Sequence, residues 1–489
     1  MIFFKDKVEK IWQKTTWVLW LALVAVLPVT SFPFFAKLLH TSSVAPASGI
    51  FLLLLVLIWI PGILLKQGRI PVQSKPALLF FLVAFFSIGT SFFREVPDFK
   101  DQSLFKAAFE GIATLGMGAL FYLVTASLPD TSLKIRKTLA VLNWGGFVML
   151  IWSLAQIILF LINHDFLEWM RSFQRFFSTT VLFNQRTTGF ASEPSWLAHQ
   201  LNLVYLAYWF AATISRFSAH PYRIWKFSFE NLLLLGGILT LFLTFSRGGV
   251  LAFLFVLAFL FFWGNVRGVK WLLKKWRIRK RKLFTAAAAF LMTILYLGIA
   301  FLSLYTFSKL DPRMEKVFQF DRIAKNPLMK YAEGLQFGER VVYWQTGWNI
   351  FNDHPILGVG VNFSGFYYPQ YLPDYAWKLP EVRALLFRSD SLMNIKSLWS
   401  RLLAETGIVG FSFFVVFLVV SGLSAKSMLS SPDGLRRTIG WMGILMLVAF
   451  LIEGFSTDSF ALPYYWFTLG LVASTWRWAQ GEEKELVHG

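Results

Sequence analysis

The sequence predicts an all-α polytopic integral membrane protein with about twelve transmembrane helices and one large folded loop. Three observations predict it. Of 489 residues, 56% are hydrophobic and only 15% charged, whereas a soluble chain carries roughly a quarter charged residues; the mean hydropathy is +0.56. Apolar runs of about 20 residues, enough to cross about 30 Å of hydrocarbon, recur along the chain. The stretch 307–396 is far longer than any other connection between runs, and long loops in compact proteins are either functional or disordered.

The runs fall near 16–35, 47–65, 76–93, 106–126, 138–163 and 194–215, then 229–246, 249–265, 284–307, 397–421, 438–455 and 461–476. The first follows Lys5, Lys7, Lys10 and Lys14 without a convincing small-residue cleavage site, so it reads as a retained helix. An even number of spans puts both termini on one side. Short loops on that side are basic: Lys66, Arg69 and Lys75; Lys134, Arg136 and Lys137; Arg216, Arg223 and Lys226; Lys426, Arg436 and Arg437. The run from Arg267 to Lys282 holds nine positive charges and no acid. Basic short loops face the cytoplasm, which makes both termini cytoplasmic and 307–396 external. The net charge of +20 is then explained by anionic lipid headgroups and gives no reason to expect a nucleic-acid partner.

The chain divides into a 1–180 N-terminal bundle, a 181–306 transmembrane core, a 307–396 cap and 397–489 C-terminal helices. It has no cysteine, which excludes disulfides, thiolate nucleophiles and cysteine-bound metals. Its six histidines are scattered and form no HExxH-type pair, so no metal site is expected. The cap is not of disordered composition. Val342, Trp344, Trp348, Ile350 and Phe351 follow a helical pattern, His354-Pro355-Ile356-Leu357-Gly358-Val359-Gly360 is a Pro/Gly turn, and Phe363, Phe366, Tyr367, Tyr368 and Tyr371 follow it.

Three segments on the external side place arginine beside small or turn residues at the edge of a span. They are Arg186 to Ser195 (RTTGFASEPS), Ser246-Arg247-Gly248-Gly249, and Gly338-Glu339-Arg340. Charge at that depth is costly and marks function unless it is paired or solvated. Arginine offers a planar fork of donors that fits phosphate oxygens and stays charged. A glycine pair at a helix start lets backbone N–H groups approach an anion. The competing reading for any single arginine is a headgroup anchor.

These motifs, with Arg340-Val341-Val342-Tyr343-Trp344, Trp348, Phe351, His354 to Gly360, Asn362-Phe363 and the closing Leu402, Glu405-Thr406-Gly407, resemble the O-antigen polymerase/O-antigen ligase superfamily over about residues 180–410. The resemblance implies a GT-C-like glycosyltransferase of the bacterial cytoplasmic (inner) membrane, active on the periplasmic face without metal or other cofactor. Its donor would be a glycan on undecaprenyl diphosphate. Arg186 and Arg247 would hold the diphosphate, with Arg340 as a third contact. A flippase and a chain-length regulator are partners by resemblance, besides membrane lipids. The ligase branch places a histidine about two helical turns before Ala-Glu-Thr-Gly; here Asn394 to Trp399 has none, and Lys396 stands at that position. This favours a polymerase, which extends a lipid-linked repeat unit, over a ligase, which delivers glycan to lipid A-core or protein.

The acceptor hydroxyl needs a base or a hydrogen-bond acceptor. Glu193 is the first candidate, seven residues after Arg186 and directly before Pro194; it would serve equally as a salt-bridge partner or helix cap. His354 is the rival, with a structural hinge as its alternative role. Glu405 is expected to support the fold or pair with an arginine. Lys396, Tyr343, Trp344 and Asn362 are candidate acceptor or sugar contacts, although cap core or interfacial belt would explain most of the cap's aromatics. A transporter for a lipid-linked sugar would also use arginines, but it should show related halves and midplane broken helices; the informative residues here cluster at one face.

Overall fold

The computed structural model describes residues 2–39, 44–66, 71–275, 281–310, 338–389 and 392–488. The first half runs α1 (Ile2–Ala25), α2 (Pro33–Leu39), α3 (Ala47–Lys66), α4 (Lys75–Ser91), α5 (Leu104–Ser127), α6 (Ser132–Asn163) and α7 (Glu168–Phe177). Then come α8 (Pro194–Gln200), a π-helical turn (Leu201–Tyr205), α9 (Leu206–Ser215), α10 (Phe229–Leu243), α11 (Arg247–Lys275) and α12 (Arg281–Leu310). The cap contributes α13 (Gly338–Asp353), α14 (Ser364–Tyr371) and α15 (Pro380–Phe387), and the chain closes with α16 (Leu398–Met428), α17 (Gly434–Glu453) and α18 (Tyr464–His488).

Among the described residues seven helices are long and apolar enough to cross a membrane: Val72–Ser91, Leu104–Ser127, Ser132–Asn163, Arg247–Lys275, Lys282–Ile299, Leu398–Met428 and Gly434–Glu453. The other expected runs take different forms. The 16–35 run is split, because α1 ends at Ala25 and a turn precedes Pro33. The 194–215 run breaks into α8, the π turn and α9, and 229–246 gives the 15-residue α10. Residues 311–337 of the expected cap lie outside the described residues. Between α9 and α10 a minimal antiparallel hairpin, β1 (Arg223–Ile224) with β2 (Phe227–Ser228), is the described departure from all-helical structure.

Helix starts follow local chemistry. Ser103, Thr131 and Asp433 each accept a backbone N–H of the following first turn through the side chain, satisfying donors the helix itself leaves free. Pro194 stands at the first position of α8, where its missing N–H costs nothing. The centre of the bundle is built where α16, α17 and α18 meet α4, α5 and α9. Aromatic rings fill it: Trp466 stacks on Phe417 at 6.0 Å and meets Tyr465 at 4.5 Å, and Phe414 lies 5.1 Å from Phe80. The outward faces of the helices remain apolar, with Leu57, Leu82, Phe86, Leu161 and Leu297 all exposed, as a lipid-solvated surface requires. The short α7 has three sides: Trp169, Phe173 and Phe176 are exposed on one, Met170 and Gln174 are buried on the next, and Arg171 and Arg175 pair with Asp165 and Glu168 on the third. That is the pattern of a helix lying in a membrane interface.

Candidate functional site

The site grows from four segments that meet at the cap end of the bundle. The first is the loop 183–193. Gln156 of α6 gathers its centre: its Oε1 accepts Thr187 Oγ1 at 2.8 Å, Thr188 N–H at 3.0 Å and Gly189 N–H at 3.2 Å, while its Nε2 donates to the Gly189 carbonyl at 3.0 Å. Gly189 turns at φ +54°, in the left-handed region that suits glycine. The loop is pinned to the end of α10, because Thr187 N–H donates to Leu243 O at 3.1 Å and Arg186 Nε donates to Thr244 O at 2.9 Å. Arg186 therefore stands three residues from Arg247 through one carbonyl.

The second segment is the α10–α11 corner. Thr244 Oγ1 accepts Ser246 N–H, and Ser246 Oγ accepts Gly249 N–H, so the corner caps itself and Arg247 opens a 29-residue helix. The N-terminal end of such a helix favours negative charge. The two glycines are required by packing. A Cβ on Gly249 would lie 2.5 Å from Ala198 Cβ of α8, and one on Gly248 would lie 3.1 Å from Ser456 Oγ. The close approach of α8 and α11 sets Glu193 and Arg247 at the same end of two neighbouring helices. Glu193 is exposed, has extended backbone (φ −137°, ψ 156°) and accepts Ser195 Oγ at 3.1 Å.

The third segment, the turn 454–458, joins the other three. Ser456 borders Gly248; Phe455 accepts Trp344 Nε1 on its carbonyl at 3.2 Å and packs on that ring at 5.3 Å. The carbonyls of Gly454 and Thr457 both take the N–H of Leu398 at 2.8 Å, and Asp458 O takes Arg401 Nη1 at 2.6 Å. Beneath the turn, Glu453 is wholly buried and paired with His199 and Asn202.

The fourth segment is the cap. Arg340 donates through Nη1 to the Lys396 carbonyl at 3.1 Å, one helical turn before Trp344. Lys396 Nζ forms an ion pair with Glu381 at 2.5 Å and lies 5.0 Å from the Tyr343 ring centroid, while Tyr343 OH donates to the same carboxylate at 2.8 Å. Burial pushes the Glu381 carboxyl up, but Lys396, Tyr343 and Arg340 outweigh it and hold the group below its ordinary value. Tyr343 is raised far above the usual phenol range, first by burial and then by the Glu381 charge.

His354 and Asn362 lie in a different part of the cap. His354 packs edge-on to Tyr367 at 5.4 Å, and burial followed by the Arg94 charge lowers its pKa, so the imidazole is neutral near pH 7. Arg94 Nη1 donates to Gly358 O at 2.6 Å. Asn362, at φ +71°, donates to Ala107 O at 3.0 Å and Glu110 at 3.3 Å. These contacts tie the turn to the segment that follows α4 and to α5. The turn itself fills a break in α16 at Gly407, next to which Glu405 accepts Arg401 Nε at 2.8 Å and Ser364 Oγ at 2.8 Å, all buried.

Sequence reasoning missed Gln156, His199, Asn202, Glu453 and Asp458. A signal was present for four of them: Gln156, His199, Asn202 and Glu453 are polar groups inside runs otherwise apolar enough to span, and such residues are rarely idle.

A polytopic helical bundle with arginines at one end, beneath an aromatic-rich cap, has the charge to hold an anionic group there. Residues 232–415 match the family model described as O-Antigen ligase, so over that segment the chain is similar to the O-antigen polymerase/ligase superfamily. No curated protein matches the chain. The matched segment holds Arg247, Arg340 and the Gly407 break, while Arg186, Glu193, His199 and Glu453 lie outside it. That match and the seven apolar helices support a multi-pass membrane protein of O-antigen polymerase or ligase type.

Proposed function

We propose that the chain is a polysaccharide polymerase, with about twelve spans, both termini in the cytoplasm and its cap facing the periplasm. It transfers a growing glycan from undecaprenyl diphosphate onto a lipid-linked repeat unit. The observation that carries this reading is the corner where Arg186 rests on the Thr244 carbonyl, three residues before Arg247 opens α11, with the cap's Arg340 one helical turn from the Trp344–Phe455 contact.

In the reaction the acceptor hydroxyl oxygen attacks the anomeric carbon, and the bond from that carbon to the diphosphate oxygen breaks. Undecaprenyl diphosphate leaves with the electron pair. Fixed guanidinium groups and the α11 N-terminus stabilise that developing charge without reorganisation, which is the role a metal would otherwise fill. The hydroxyl proton passes to Glu193, the exposed carboxylate at the head of α8, or, on the rival assignment, to the neutral imidazole of His354. Tyr343, Trp344 and Asn362 would face sugar, and Lys396, paired with Glu381, would remain a cation unsuited to act as base. That pairing supports polymerase over ligase. A flippase would supply the donor and a chain-length regulator would set termination.

Purified protein in liposomes, given undecaprenyl-diphosphate repeat units and EDTA, is expected to produce a ladder of lipid-linked glycans. No ladder, followed by transfer once lipid A-core or a protein acceptor is added, would reassign the enzyme as a ligase. Activity that disappears with EDTA and returns with a divalent cation would overturn the metal-independent step.

A further inference from the structure

Two buried ionisable residues at this end of the bundle are not arginines. Glu453, the last residue of α17, is 0% exposed and His199 of α8 is 2% exposed. His199 Nδ1 pairs with Glu453 Oε2. Asn202, in the π turn, uses one amide nitrogen twice: Nδ2 donates to Glu453 Oε1 at 2.5 Å and to Gly249 O at 2.8 Å. The carboxylate is thereby fastened to the third residue of α11, two residues from Arg247.

The backbone of Glu453 faces the other way. Its carbonyl accepts the N–H groups of Ser456 at 2.9 Å and Thr457 at 2.8 Å, and Ser456 Oγ at 3.2 Å. These bonds close the turn whose Ser456 borders Gly248. One residue thus holds the first turn of α11 from beneath with its side chain and from the flank through the turn it starts. A buried imidazole–carboxylate pair is a poor source of stability, since apolar side chains of similar volume often serve as well. What it supplies is direction, because hydrogen bonds fix an angle and a depth that apolar contact does not.

We propose that Glu453, His199 and Asn202 form a positioning network that sets the depth and orientation of the Arg247 guanidinium, and that diphosphate binding depends on them through Arg247. The network lies below the arginines and touches no reacting atom. The proposal rests on Arg247 as a diphosphate contact, as assigned in the proposed function.

The test is a double-mutant cycle on equilibrium binding of undecaprenyl diphosphate, using Asn202→Ala, Arg247→Ala and the double variant of the full chain in detergent, each checked for a single monodisperse species. Asn202→Ala is expected to weaken binding about tenfold in the wild-type background and by less than about twofold in the Arg247→Ala background. Glu453→Gln keeps the shape and removes the charge, and is expected to show the same dependence on Arg247; it gives the reading if Asn202→Ala does not fold. Losses that multiply in both backgrounds, or unchanged binding in a monodisperse network variant, would overturn the proposal and leave a packing role. If Arg247→Ala itself binds normally, the diphosphate assignment fails first and the network's role fails with it.

Discussion

The Pro355 carbonyl accepts the N–H of Ile408 at 2.8 Å, and by this bond the cap turn enters a transmembrane helix. The exchange is reciprocal: Val359 N–H donates to Ala404 O at 2.9 Å and Gly360 N–H to Glu405 O at 3.0 Å. Gly407 opens the gap at φ +61°, and Gly358 enters it at φ +68°. A Cβ on Gly407 would lie 2.2 Å from Ile356 O, and one on Gly358 would lie 2.4 Å from the Glu405 carbonyl carbon.

Alanine at either glycine should therefore combine a left-handed backbone with a clash that only backbone movement relieves. We expect a loss of several kcal/mol, on the order of 4 or more, seen as a large drop in thermal midpoint. Gly264, in α11 with nothing near its missing Cβ, is the control. Gly264→Ala should be neutral or better by up to about 1 kcal/mol of helix propensity.

Arg247→Ala and Arg247→Lys should each lower polymerisation by about a hundredfold or more, because a lysine cannot reproduce a bidentate contact. Membrane insertion should be unchanged. Substituting Arg267, Lys270, Lys274 and Lys275 by Gln, at the far end of the same helix, should alter insertion and leave turnover per folded molecule alone. Quantified chain-length ladders normalised to reconstituted protein check both.

The Arg401–Glu405 pair is buried on both sides, with side chains 7% and 2% exposed. Arg401→Met leaves a buried carboxylate uncompensated and should cost about 3–5 kcal/mol. Arg401→Met with Glu405→Leu removes both charges and should recover part of that loss. Thermal unfolding of the two variants decides it: a double variant no more stable than the single would mean that the ion pair contributes net stability.

The cap should loosen in acid. Glu381 titrates below its ordinary value in the folded cap, so its stabilising contribution is complete above the unfolded-state value and is lost as pH falls through the folded one. Hydrogen exchange over residues 380–387, corrected for intrinsic rates, should rise at acid pH in the wild type. Glu381→Gln should show faster exchange at neutral pH and a flatter dependence. The carboxylate is nearly half exposed, so the effect is local rather than global.

Long apolar runs, the helix start at Pro194 and the arginine-led start of α11 were legible in sequence because each rests on neighbours a few residues away. The break at Gly407 was not, since a glycine in an apolar run reads as tolerated, and its need for φ > 0 depends on Pro355, about fifty residues upstream. The pairing of His199 with Glu453 spans 254 residues, and no local pattern encodes it. Glu193 was visible as a carboxylate before a proline. That Arg186 rests on Thr244 became visible only once α10 was folded beside the loop.

The π turn at Leu201–Tyr205 contains one residue more than an α-helix would need over the same rise. Deleting a residue there would let the helix close in the ordinary way and rotate Pro194–Gln200 about 100° around the axis relative to α9. Glu193 and His199 would swing away from Arg247 and Glu453, while α9 stayed seated in the bundle. The azimuth of α8 is thus written in residue count. Variation that only exchanges side chains cannot retune it; an insertion or deletion can.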